Sequence, residues 1–259
     1  NSVRATLLLI TLSLAAIGSG CMRSPPVETS ELPAVTASTA EAVPPAVAEY
    51  LAALTAVEQA KAPLSLETLF GKAEAAQNAL MEVTGEQAVL ERLPAEAFAR
   101  LQAQMRGLSL HREGDIYAQP LPAFFLDLAK AHGLPADVAF FEQYAATWGA
   151  DLVPVYLKLR PQPTPCVRFG EGRIVPLYAA WQRFAAQHPE AYAKYAAQNL
   201  SDLEEAVALG TCACTGVDSV LSEQAAFLKQ FPAAPKAADI KARGQQLLNE
   251  PDVLPVNCR

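Results

Sequence analysis

Apolar residues return at helical spacing from residue 47 to residue 248, with one break, and this rhythm leaves few folds open. Val47, Tyr50, Leu51, Leu54 and Val57 follow i, i+3, i+4, i+7 spacing, which places them on one face of an α-helix. Leu66, Leu69, Phe70, Ala73, Leu80 and Met81 repeat the pattern, with Ser65 as the expected N-cap. Phe98, Leu101, Met105 and Leu108 form a third stripe. Pro94 stands near its start and Gly107 near its end, the usual asymmetry of helix termini. Phe124, Phe125 and Leu128 predict a helix stopped at Gly133. Val138, Phe141, Tyr144, Ala145 and Trp148 predict another, opened by Pro135 and stopped at Gly149.

The break spans residues 151–176. Val155, Leu157 and Leu159 alternate there with Tyr156, Lys158 and Arg160, a period of two. Pro161, Pro163 and Pro165 follow, and Cys166–Phe169 and Arg173–Val175 flank Gly170-Glu171-Gly172. A small hairpin or irregular insert is expected. Two or three short strands are marginal alone, so they must pack on the helices and lean on Cys166. Helical spacing then resumes with Leu177, Trp181 and Phe184, and with Tyr192 and Tyr195 after Pro189. Ser201-Asp202-Leu203-Glu204 reads as a capping box opening a helix that runs to Gly210. Val217, Leu221, Ala225, Leu228 and Phe231 precede Pro232, and Ile240, Leu247 and Leu248 precede Pro251. About ten helices joined by short turns predict an all-α, multi-helix domain over 46–259, with the β-hairpin insert near 152–176 as a point where it could subdivide. Helix pairs near 177–198 and 217–248 leave an α-solenoid open, although no fixed repeat period occurs.

Cys166, Cys212, Cys214 and Cys258 lie in the helical part of the chain, and in an oxidising compartment an even set reads as disulfides. A Cys212–Cys214 bond would close a very small ring. The other two pairings both tie Cys166 and Cys258 to the 212–214 loop. Four-thiolate zinc and a redox-active C-x-C are the alternatives, but no C-x-x-C pair is present.

The start of the chain has a different character. Arg4 precedes an apolar run, residues 5–17, closed by Gly18-Ser19-Gly20 and followed by Cys21. The run is shorter than the ~20 residues a membrane-spanning helix needs. The order of basic, apolar and small residues is that of a secretory signal, which a cysteine at the next position makes resemble a bacterial lipoprotein signal. Gly18 stands where the lipobox carries Leu. An ordinary secretory signal, with Cys21 as one more disulfide cysteine and a secreted, soluble product, is the alternative. The resemblance implies a signal peptide at 1–20, a diacylglycerol and an acyl chain on Cys21, and stable anchoring by more than one chain. Met22 stands where Asp would imply inner-membrane retention, so the resemblance implies an outer-membrane lipoprotein facing the periplasm. Residues 22–45 hold five prolines among Ser, Thr, Ala and Glu, without apolar periodicity. They read as a disordered tether about 27 Å long as a coil.

Composition narrows the functions. The net charge of −7 becomes about −8 once Arg4 leaves with the signal. That argues against nucleic acid and against electrostatic adhesion to anionic lipid, so membrane contact is expected through the anchor only. No nucleophile elbow, His-Glu-x-x-His pair, phosphate loop or dinucleotide fingerprint occurs, and no catalytic residue, metal site or cofactor is assigned. His132 and His188 stand at expected helix C-termini, where they suit the dipole. His111 lies in a polar loop beside Glu113 and Asp115. Glu142 is the one acid to nominate for glycosidase chemistry. Lys158, Arg160, Arg168 and Arg173, with Tyr156 and Phe169, form the candidate binding surface in an otherwise acidic chain. The expectation is a lipid-anchored, non-enzymatic envelope protein that binds a protein or wall component, in one version as an immunity-type inhibitor. A wall hydrolase with an unrecognised site and a solenoid-like assembly factor for the outer membrane are the alternatives.

Overall fold

The computed structural model describes residues 43–250, apart from Asp115, Gln162 and Pro163, together with Val256. The predicted signal, Cys21, the tether up to residue 42 and Cys258 lie outside the described residues.

The described residues form an all-α domain. In chain order its elements are α1 (Pro45–Glu58), α2 (Glu67–Met81), β1 (Val83–Thr84), β2 (Gln87–Ala88), α3 (Val89–Arg92), α4 (Ala95–Gln104), β3 (Leu108–His111) and β4 (Tyr117–Pro120). These are followed by α5 (Pro122–His132), α6 (Pro135–Thr147), β5 (Leu157–Lys158), β6 (Cys166–Val167), α7 (Ile174–Gln187), α8 (Ala193–Leu209), α9 (Val217–Gln230) and α10 (Ala237–Asn249). Three helices, α1, α5 and α6, begin with proline in the first turn, where its missing N–H leaves no hydrogen bond unmade. Successive helices pack on one another: α1 on α2, α5 on α6, α7 on α8, and α9 on α10.

The predicted apolar stripes are what most of the helices bury. The α9 stripe is a correction: this helix buries Val220, Glu223, Gln224 and Phe227, while Leu221 and Leu228 are only partly buried and Ala225 is exposed. Leu248 of the α10 stripe is exposed as well. The core runs without interruption from Val47 to Leu247, across the insert. Its centre is aromatic. The Phe70 ring lies edge-on to Phe125, Phe140, Phe141 and Tyr144, each 5.3–5.6 Å away. Phe140 stacks on Tyr192 at 3.7 Å. Such pairs contribute about 0.5–1.5 kcal/mol each beyond their burial, and here they join α2, α5 and α6 to α8.

Four of the expected helix boundaries are corrected. The N-cap of α2 is Leu66 and not Ser65, and α7 opens at Ile174, so Ile174 and Val175 are helical and not part of the insert's strands. The third stripe does not run to Leu108: α4 ends at Gln104 and Leu108 opens β3. Gly107 turns the chain. It has φ +79°, and a Cβ there would collide with the Tyr50 hydroxyl and the Phe124 ring. The Gly107 carbonyl accepts from Leu121 N–H at 2.8 Å, so the helix gives way to a β3–β4 hairpin. Its register pairs Leu108 with Pro120 and His111 with Tyr117. With the smaller β1–β2 hairpin, it makes two sheets that helical periodicity concealed, since two to four residues carry too little pattern.

The capping box at Ser201–Glu204 is also corrected. These residues lie in the middle of α8, which starts eight residues earlier, after Tyr192 at φ +54°. Glu204 does not reach back to the start of its own helix and instead bonds the N-cap residue of α10. It is buried, accepting from the Tyr178 hydroxyl at 2.6 Å and from Lys236 N–H at 3.0 Å.

The β5–β6 hairpin is the expected insert. Leu157 pairs with Val167 and Lys158 with Cys166, but alternation stops there, leaving Leu159 exposed. Residues 212–214 extend the sheet: Val167 N–H donates to Cys212 O at 2.7 Å and Cys214 N–H to Val167 O at 2.9 Å. Beside this rung, Cys166 and Cys214 form a disulfide across 48 residues, which excludes a Cys212–Cys214 ring and removes both sulfurs as zinc ligands. Cys212 is disulfide-bonded as well. Closing a loop of this length restrains the unfolded chain by about 4 kcal/mol. We expect Cys166→Ala/Cys214→Ala to lose roughly that much in denaturant unfolding. A loss below about 1 kcal/mol would mean that the β6 rung holds the insert unaided.

Candidate functional site

The six residues of the predicted surface do not form one surface. Phe169 is only 2% exposed and belongs to the core, a correction that follows from Gly170 N–H bonding Glu223 at 2.7 Å and drawing the turn inward against α9. Arg168 is paired with Glu171 at 2.7 Å, and its backbone N–H donates to Tyr156 O. Arg160 folds back to donate to Thr164 O at 3.2 Å. Tyr156 is half-buried, and burial, with the Asp202 charge adding, pushes its phenol up to about 12. Lys158 and Arg173 alone of the six are exposed to solvent. The positive cluster is thus divided between an ion pair, a loop-internal bond and two separate surface charges.

The nominated chemical residues are peripheral. Glu142 is exposed on α6. His111 is exposed at the end of β3, stacked on Tyr117 at 5.2 Å and held to Glu113 O at 2.7 Å. His132 ends α5 and His188 caps α7, as their positions before Gly133 and Pro189 suggested. No group of three His, Cys, Asp or Glu side chains able to hold a metal occurs among the described residues. No helix among them is long and apolar enough to cross a membrane.

A different site emerges where α2, β4, α6 and α8 meet around a cleft of about 210 Å³. Four rings wall it: Phe70, Tyr144, Trp148 and Tyr195. Tyr144 and Phe70 come from core stripes whose edges open here. Trp148 caps α6 and also borders an apolar groove lined by Leu121, Pro122 and Leu152. Two carboxylates, Glu74 and Asp202, and four amides, Gln77, Gln119, Gln198 and Asn199, complete the lining. The lining contains no Ser, Cys, His, Lys or Arg.

The polar groups are organised among themselves. Glu74 Oε2 accepts from the Tyr195 hydroxyl at 2.7 Å and from Lys194 Nζ at 3.2 Å. Asp202 accepts from Gln198 Nε2 at 2.7 Å. Gln119 Nε2 donates to Leu152 O at 3.0 Å, across to a residue at φ +59°, and Asn199 Nδ2 donates to Tyr195 O at 2.8 Å. Burial raises the Tyr144 phenol above its usual range, and the Glu74 charge raises it further. Burial and the bond to Glu74 do the same for Tyr195. The Trp148 indole N–H is buried without a hydrogen-bond partner.

None of these lining residues was singled out as a site from the sequence. Tyr144, Trp148 and Tyr195 were assigned to core stripes, and the amides carried no pattern. The nearest sequence signal is the run Tyr195–Asp202, which places Tyr195, Gln198, Asn199 and Asp202 at helical spacing on one face of α8.

No protein-family model matches this chain, and neither a curated protein nor a solved structure does. Its class rests on the fold and the cleft: an all-α, disulfide-bridged domain with an aromatic-walled, acidic cleft.

Proposed function

We propose that the chain is a non-enzymatic binding protein of the bacterial envelope, held at the outer membrane by acylated Cys21 and binding through the cleft between α2, β4, α6 and α8. The observation that carries this reading is the convergence of four rings and six polar side chains on one concavity, without a Ser, Cys, Lys or His among them. The contacts of α8 with α2 and α6, far apart in sequence, speak against a solenoid, whose repeats touch only their neighbours. A wall hydrolase is the second reading, because Glu74 and Asp202 share the cleft and two carboxylates suffice for glycoside hydrolysis.

Two measurements test the proposal. Cys21→Ser, expressed with the protein's own leader, should move the protein from the membrane fraction to the soluble periplasm and abolish labelling by a fatty-acid analogue. A variant that still fractionates with membrane removes the anchor. For the cleft, Asn199→Trp fills the cavity from the partly exposed face of α8. Native mass spectrometry of protein purified from envelopes should show a bound mass on the wild type and none on this variant. Release of soluble fragments from purified wall, lost in Glu74→Gln, would instead establish the hydrolase.

A further inference from the structure

We infer that the cleft binds its ligand through an alkylammonium group, seated against Glu74 and the face of Tyr195, where the chain now holds its own Lys194. The inference rests on the reading of this cleft as the binding site and adds the ligand's chemistry.

Hydrogen-bond accounting leads to it. Three of the four amides have committed a nitrogen to a protein oxygen: Gln119 to Leu152 O, Gln198 to Asp202 and Asn199 to Tyr195 O. Those partners only accept, so each amide's orientation is set and its oxygen is left for a ligand. The Tyr195 hydroxyl likewise spends its proton on Glu74. The cleft therefore offers an excess of acceptors and carries two carboxylates with no cation in its lining. An anionic ligand is repelled. A sugar brings as many acceptors as donors, and the second N–H of each amide and the Trp148 indole N–H could meet its acceptors, but a neutral ligand leaves the charge of the two carboxylates uncompensated. An ammonium group brings donors alone, and aromatic faces favour it once it leaves water.

Lys194 supplies the independent observation. Its ammonium sits 3.2 Å from Glu74 Oε2 and 5.1 Å from the Tyr195 ring centroid, a cation held by a carboxylate and an aromatic face at the rim of the cleft. Its side chain is 78% exposed, so it is free to swing away and yield the position. An incoming ammonium exchanges with it, and the cleft is never left with Glu74 uncompensated.

The experiment titrates the full chain with 1,5-diaminopentane and with a short peptide carrying one lysine, following Trp148 fluorescence in a Trp181→Phe background and amide NMR shifts. Pentanol and a neutral chito-oligosaccharide are the controls. Saturable binding of the amines, weaker at high salt, is expected. Glu74→Gln should weaken it about tenfold or more, since Gln keeps the Tyr195 bond but not the charge. Lys194→Ala should tighten it several-fold by removing the internal competitor. Tighter binding of the peptide than of the diamine identifies a lysine side chain of a protein or peptide as the source, and the reverse identifies a free amine. Absence of amine binding, or affinities indifferent to both substitutions, overturns the inference. If the oligosaccharide binds instead and Asn199→Trp abolishes that binding, the ammonium chemistry is wrong and the cleft remains the binding site. If Asn199→Trp keeps the envelope-derived ligand, the cleft itself is wrong.

Discussion

Above pH ~10, the ordinary range of a phenol, the domain should lose stability steeply and unfold in one cooperative step. Tyr50, Tyr144, Tyr178 and Tyr192 are between 0% and 8% exposed. Burial raises all four phenols well above their usual range. For Tyr178 and Tyr192, hydrogen bonds to Glu204 and Asp137 raise them further. The unfolded chain therefore gives up these protons first. While it binds fewer protons than the native state, stability falls as pH rises. It is unaffected below the unfolded value and declines upward from there. Each phenol contributes about 1.4 kcal/mol per pH unit, so four together remove roughly 5 kcal/mol per unit. A domain of ordinary stability, ~5–15 kcal/mol, is exhausted within about one to three units. Circular dichroism and phenolate absorbance should change together in a single transition. Tyr144→Phe, which removes a phenol with no hydrogen-bond partner to lose, should reduce the steepness by about 1.4 kcal/mol per pH unit. Smooth titration of all seven tyrosines near pH ~10, with helicity intact, would show that the phenols are not shielded.

Asp137→Ala should be the most damaging single substitution, costing more than about 4 kcal/mol. Asp137 is 1% exposed and stands at the meeting point of three helix starts. Its Oδ1 accepts from Leu66 N–H at 2.9 Å and from the Tyr192 hydroxyl at 2.6 Å, while Oδ2 accepts from Leu134 N–H at 2.7 Å. Leu66, Leu134 and Tyr192 are the N-cap residues of α2, α6 and α8. None of them has a side chain that caps its own helix. One carboxylate thus serves the N-cap backbone N–H of α2 and of α6, where its charge faces the positive ends of those two dipoles, and it also holds the hydroxyl of Tyr192, the residue that precedes α8. Alanine leaves three donors without an acceptor, at about 1–3 kcal/mol for each that stays buried. Asp137→Asn should cost about half as much, because its one oxygen still serves Leu66 and Tyr192 while its NH₂ opposes Leu134 N–H. Tyr192→Phe should cost less again, about 1–2 kcal/mol. Urea unfolding of the three variants orders them. A loss below about 1 kcal/mol for Asp137→Ala would show that the starts of α2 and α6 and the Tyr192 hydroxyl are satisfied without it.

Asp137 shows how far local pattern reaches. Pro135 at the first helical position and an acid two residues later are a legible helix start, and the bond from Leu134 N–H to Asp137 is its local content. The bonds to Leu66 and Tyr192 join residues 71 and 55 positions away, and no spacing rule encodes them. Glu204 teaches the reverse. It completes a capping-box pattern with Ser201, yet tertiary contacts with Tyr178 and Lys236 draw its carboxylate inside while α8 runs straight through. An aromatic beside Arg residues reads as an interface residue, which is what Phe169 suggests, yet the turn that Glu223 draws inward at Gly170 buries it. The cleft was illegible for a similar reason. Its rings come from three helices whose stripes each look like ordinary core, and only their packing decides which edges stay open.

The apolar rhythm by itself determined the helical class, the faces most helices bury, and the place of the insert at 151–176; α9, whose buried face includes Glu223 and Gln224, is the exception. Periodicity of 3.6 residues is a local property, and burial follows it wherever a core is available. Cys166 also marked the insert as in need of a staple, but two pairings through the 212–214 loop were equally consistent with the spacing. Tertiary structure alone chose Cys214 for Cys166, gathered the starts of α2 and α6 and the Tyr192 hydroxyl on Asp137, and brought Glu74 of α2 against Tyr195 of α8 to make an acceptor-lined cleft. These are contacts between residues distant in the chain, selected by packing and by the cost of leaving buried polar groups unpaired, and a reading along the chain has no term for either.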